Sequence, residues 1–170
     1  VQGYDKEVDA LNQHTKADKV YIVCSKEQLD ENGSMKIFSM IDKLSAELSV
    51  ASDNETRKRL LMRRAIAHSV LRDFEAAISD FTYYISLDDK NSLAYWQRAV
   101  CQAEMDEFNK AEGKGVLNIH SAEADFSDAI RQNSNNAYIY YNRGNLHAGR
   151  NELSKAIDDY TIALRIDNRL

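Results

Sequence analysis

The 170-residue chain has no proline, two cysteines, one tryptophan and six glycines. No apolar run approaches the ~20 residues that a membrane-crossing helix needs, so no membrane span is expected. Two cysteines, Cys24 and Cys101, are too few for a disulfide framework. A formal net charge of -5 argues against a general nucleic-acid binder. Histidines and cysteines at metal spacing, as in His-x-x-x-His or Cys-x-x-Cys, are missing, so no metal site is expected. Gly113-Lys114-Gly115 follows no strand and lacks a Walker pattern, which makes it a loop rather than a phosphate cradle. Nucleophilic catalysis needs a Cys or Ser beside a His and an orienting group; Cys24 with His14 is the only loose candidate, on a weakly patterned arm. The expectation is a protein that is not an enzyme and has no cofactor. The chain begins with Val and shows no signal peptide, so it reads as a processed or excised piece, soluble, and cytoplasmic unless a removed leader exported it.

What the chain does have is helical periodicity that repeats. In 136–170, Tyr140, Arg143, Gly144 and His147 share one helix face. After a turn at Gly149 to Glu152, Leu153, Ala156, Ile157, Tyr160, Ala163 and Leu164 share another. Such a hairpin cannot bury its apolar faces alone and needs neighbours of its own kind. Ala156-Tyr160-Ala163 is matched 34 residues earlier by Ala122-Phe126-Ala129, and 45 earlier still by Ala77-Phe81-Tyr84. The first helices repeat as Leu61-Arg64-Ala65, Tyr95-Arg98-Ala99 and Tyr140-Arg143-Gly144, spaced 34 and then 45. The middle unit therefore carries 11 extra residues, somewhere between Asp106 and Asn118. Phe108 or Ile119 fills the slot held by Phe74 and Leu153. Thr56 to Leu71 and Asp73 to Leu87 make the first full pair. Ser92 to Met105 and about Asn118 to Gln132 make the second.

Ahead of the pairs, Met35 to Val50 is a helix with the stripe Ile37, Ile41, Leu44 and Leu48. Asn32-Gly33-Ser34 reads as a stop and restart before it. Val20 to Cys24 is a short apolar run that an all-helical neighbourhood turns towards helix, and Asp5 to Leu11 could make another short helix.

A 34-residue helix-turn-helix period with this residue code resembles the tetratricopeptide repeat family. The resemblance covers Thr56 to Leu170. It implies an all-α, right-handed α-solenoid of antiparallel helix pairs, with residues 1–55 as an arm and helical cap. Three repeats then span 56–90, 91–135 and 136–170. Family members often close each repeat with proline; here Asp89, Ser134 and Asn168 hold those turns. Arg64, Arg98 and Arg143 recur in first helices and Asp80, Asp125 and Asp159 in second helices, as expected of paired, partly desolvated charges. His68 and His147 occupy one slot and should share a packing role.

The resemblance also implies protein–protein recognition: first helices line a concave groove for a peptide or partner protein of unspecified identity. Helical phase puts Arg59, Met62, Arg63 and Ile66 there in the first unit. Leu93, Trp96, Gln97 and Val100 follow in the second, and Tyr138, Tyr141, Asn142 and Asn145 in the third. Trp, Tyr and Arg dominate binding hot spots, and Asn and Gln can bond an extended backbone. Trp96 is read as a partner-facing anchor, with packing against an adjacent first helix as the alternative. The family's clamp for a chain-terminal carboxylate is not present, although Arg59 and Arg63 favour an acidic peptide. No polar closing helix follows the last pair. A longer parent, self-association through the uncapped C-terminal helix, or a docked partner are the three ways to cover its apolar edge, and an accessory domain of a larger protein or a self-assembling scaffold are the alternative functions.

Overall fold

The computed structural model describes residues 31–114 and 121–169. The Val20 to Cys24 run, the Cys24–His14 pair and Ile119 lie outside them. Every regular element among the described residues is an α-helix, and the chain divides into two compact units between Asp89 and Lys90. The first holds α1 (Glu31–Val50), α2 (Asn54–Val70) and α3 (Phe74–Leu87). The second holds α4 (Ser92–Ala111), α5 (Ala122–Gln132), α6 (Ala137–Gly149) and α7 (Leu153–Ile166). In the first unit α2 packs on both α1 and α3. In the second, α4 packs on α5 and α6 on α7, while α6 also meets α4 and α5.

Local chemistry sets the ends of these helices. The side-chain oxygens of Asp53, Asp73, Asn91, Ser121 and Asn136 accept from the backbone N–H of Thr56, Ala76, Leu93, Ala124 and Tyr138, satisfying donors that a helix start leaves open. All three first helices stop the same way. At their ends Arg72, Gly113 and Asn151 adopt positive φ, and each donates its N–H three residues back into the last turn, to Ser69, Lys110 and Ala148. The next residue in each case, Asp73, Lys114 or Glu152, reaches back to the carbonyl of His68, Asn109 or His147 at 2.8–2.9 Å. These paired bonds close a helix without proline. Asx turns follow two of the second helices, where Asn133 and Asp167 accept from the N–H of Asn135 and Arg169.

Two boundaries differ from expectation. Asn32-Gly33-Ser34 lies inside the first turn of α1, and Gly33 is buried. The first helix of the middle pair runs on past Met105 to Ala111, so part of the insertion is helix, and it ends where Gly113 supplies the left-handed conformation. Phe108, on that extension, is exposed; of the two residues whose slot it was a candidate for, Phe74 is buried and Leu153 is exposed.

The small-residue positions are where helix pairs approach. Ala65, Ala77, Ala99, Ala122, Ala129, Ala156 and Ala163 are all buried. At Gly144 a Cβ would stand 2.7 Å from Cε1 of Tyr160. The aromatic of the α6–α7 pair thus sits where alanine's methyl group stands in the other two.

Candidate functional site: the first-helix faces

Each helix pair is tied by one two-pronged ion pair. Arg64 Nε and Nη2 donate to Asp80 at 2.8 and 2.7 Å, Arg98 to Asp125 at 2.8 and 2.8 Å, and Arg143 to Asp159 at 2.8 and 2.7 Å. The expected Arg–Asp recurrence is therefore present in all three pairs, in the fork geometry that suits guanidinium and carboxylate. Four residues beyond each arginine lies a third polar group: His68, Gln102 or His147. His68 sits 3.8 Å from Asp80 and 3.9 Å from Asp73. Burial, opposed by those two carboxylates, lowers its pKa below 6.5. His147 is buried, 3.3 Å from Glu152, 3.7 Å from Asp159 and 3.9 Å from Glu123. Gln102 donates to Asp106 at 3.0 Å, and burial pushes the Asp106 carboxyl up against the lowering effects of Gln102 and Arg150. His68 and His147 sit at helix–helix contacts beside the aspartates of their own pairs, whereas Gln102 bonds within α4. Among the described residues no group of three metal-ligating side chains comes together, and the Cys101 thiol is fully buried.

The expected groove residues divide by depth. On α2, Arg59 is exposed while Met62, Arg63 and Ile66 are buried. On α4, Leu93, Trp96 and Gln97 are buried and Val100 half-buried. On α6, Tyr138 and Asn142 are half-buried, and Tyr141 and Asn145 are exposed. Trp96 needs correction: it is 2% exposed, and its indole N–H donates to Asn142 Oδ1 at 2.7 Å. It is packed against the neighbouring first helix, the alternative reading of its periodicity. Phase within a helix gives direction but not depth, so its sequence could not separate a lining residue from one beneath the lining.

On α6 the surface that remains is chemically specific. Asn142 Oδ1 is taken by Trp96. Asn145 Oδ1 is taken by the Tyr160 hydroxyl at 2.6 Å. Each carboxamide oxygen accepts one bond within the unit, which turns its two N–H donors towards a ligand and leaves one lone pair on the oxygen. Beside them Tyr141 is 41% exposed, its ring centroid 5.9 Å from that of Tyr160. The Tyr160 contribution was missed from sequence because Tyr160 belongs to a second helix; its match to Phe81 and Phe126, with one added hydroxyl, was the available signal.

No protein-family model matches the chain. Over 116 aligned residues it is 32% identical to tetratricopeptide repeat protein 6 of Homo sapiens, a match covering 55% of this chain and 22% of that protein. The chain thus matches only about a fifth of that relative's length. The crystal structure of MamA superposes with a TM-score of 0.63 at 18% identity, covering 95% of this chain and 87% of that one, a likeness of fold alone.

Proposed function

We propose that this chain, a helical-repeat protein of the tetratricopeptide type, is a non-catalytic recognition module whose α6 face binds an extended peptide segment of a partner protein. The observation carrying this is the fixed orientation of Asn142 and Asn145. With both Oδ1 atoms engaged, their N–H groups read acceptors, and an extended backbone offers carbonyl oxygens in series. Tyr141 supplies an exposed aromatic surface beside them.

Asn145→Asp is the variant that tests this. A carboxylate still accepts from Tyr160 but has no donor to give, and it repels carbonyl oxygens. Peptides selected from a random library on the wild-type protein should weaken about tenfold or more in Asn145→Asp and in Tyr141→Ala, with the helical signal unchanged. Equal affinity for all three proteins would remove α6 from the site. Trp96 is unsuitable as a probe because its loss would disturb α4 against α6. Assembly with copies of itself through α7 is a separate reading, favoured by that helix's exposed apolar side chains. A single species at all concentrations in sedimentation would exclude it.

A further inference from the structure

At one position the middle pair departs from the other two. Eight residues beyond the pairing arginines Arg64, Arg98 and Arg143 stand Arg72, Asp106 and Asn151. Arg72 and Asn151 take positive φ, and α2 and α6 end beside them. Asp106 lies within α4, which runs on to Ala111. The residue midway, four beyond the arginine, changes in step: His68 and His147 in the pairs that stop, Gln102 in the one that continues. Where the helix stops, the histidine Nδ1 faces an acid on the turn, Asp73 at 3.9 Å or Glu152 at 3.3 Å. Its Nε2 faces the pair's own aspartate, Asp80 at 3.8 Å or Asp159 at 3.7 Å. In α4 the acid is on the helix itself, and Gln102 Nε2 donates to Asp106 Oδ1 at 3.0 Å.

That bond leaves an acceptor unsatisfied. Gln102 is fully buried, and its Oε1 has no hydrogen-bond partner among the described residues, which is destabilising. An ionised carboxylate only accepts, so Asp106 in that form cannot supply the missing donor; a protonated one carries an O–H. We infer that Gln102 and Asp106 form a proton-operated latch at the point where α4 outruns the repeat: Asp106 takes a proton from water, the Gln102 carboxamide turns over, and the new O–H donates to Gln102 Oε1. Turned over, the carboxamide points its nitrogen as His68 and His147 point Nε2, towards the aspartate of its own pair, here Asp125. Burial already pushes the Asp106 carboxyl above the ordinary 3.8, against the Gln102 bond and the Arg150 charge. Of the charged groups around Asp106, Arg150 follows α6 and lies 3.3 Å from Glu123 of α5, and Lys110 stands one turn further along α4. Glu123 keeps Arg150 paired when Asp106 is neutral, so closing the latch strands no charge. The folded protein holds this proton more tightly than the unfolded chain. The latch therefore adds stability below 3.8 and loses it as pH rises through the folded midpoint. It shares no residue with Tyr141, Asn142 and Asn145 and stands or falls apart from the peptide site.

The test is an acid titration of the full chain followed by carbon-detected NMR. The Asp106 carboxyl carbon should titrate above 3.8. The Gln102 side-chain carbonyl and amide signals should move with the same midpoint. In Asp106→Asn, neutral at every pH, the Gln102 carbonyl should sit at its wild-type acid position throughout. In urea unfolding, wild type should lose stability relative to Asp106→Asn as pH rises from 3.8 through the Asp106 midpoint, and hold level above it. Gln102 signals that stay fixed while Asp106 titrates would overturn the latch. So would an Asp106 midpoint at or below 3.8, or a Gln102 carbonyl in Asp106→Asn that keeps its wild-type neutral-pH position.

Discussion

Arg98 and Asp125 are the most enclosed of the three ion pairs, with 8% and 4% of their side-chain surface exposed. Asp125→Asn would leave the Arg98 guanidinium buried without its counter-charge, and breaking such a pair costs about 3–5 kcal/mol. Urea unfolding should show that loss, and should show a smaller one for Asp80→Asn, whose Arg64 is more exposed. Exposed Lys155 beside Glu152 is a contrasting ion pair, and Lys155→Ala should be nearly silent. At His68 the sign of pH dependence follows from burial. The folded protein holds the imidazole's proton less tightly than the unfolded chain, whose value is near 6.5. The unfolded state therefore binds more protons as pH falls from 6.5 towards the lowered folded value, and stability declines across that window. His68→Gln, the residue found at the equivalent Gln102, should flatten this part of the profile of midpoint against pH. The Arg–Asp pairs were legible in sequence because three repeats show them three times. The depth of Trp96 was not, because burial depends on what a neighbouring helix brings.

Among the elements, the ends of α3 and α5 fell where expected, while the start of α1 and the end of α4 did not. Asp53, Asp73 and Asn136 are ordinary capping residues, and Asn136→Ala should cost about 1 kcal/mol in thermal unfolding. The shared terminator of α2, α4 and α6 was visible at Gly113 and Asn151, residue types that take the left-handed conformation, but not at Arg72. Gly113→Ala places a Cβ at φ +71, where an L-residue is disfavoured by about 1–2 kcal/mol. Nothing stands within 4 Å of that Cβ, so the loss would come from the backbone alone. An unchanged unfolding midpoint would show that α4 does not need this stop. The 11 extra residues of the middle pair were expected between Asp106 and Asn118, and the use of part of that stretch as helix was not foreseen. The helical period simply continues through Glu107 to Ala111, and only the next glycine interrupts it.

Over the whole molecule, the repeat period carried most of the fold because each pair supplies the same burial code. Phe126 fills a core slot at 1% exposure and Ile157 stands largely in water, although both lie on apolar stripes of second helices. Phe126→Ala should cost about 3–5 kcal/mol, whereas Ile157→Glu should stay within about 0.5 kcal/mol. Differential scanning calorimetry on the two variants separates a structural stripe from an available one. The peptide-binding face was legible as a direction on α6, through Tyr141, Asn142 and Asn145. Its chemistry as a row of donors was not, because that depends on Trp96 and Tyr160 reaching across from other helices. The side-chain amide resonances of Asn142 and Asn145, followed by NMR while a library-selected peptide is added, report on those donors directly. Both pairs should shift downfield and saturate together with the Tyr141 ring signals. Unmoved amides, with perturbations gathered instead around Tyr83 on α3, would contradict the account.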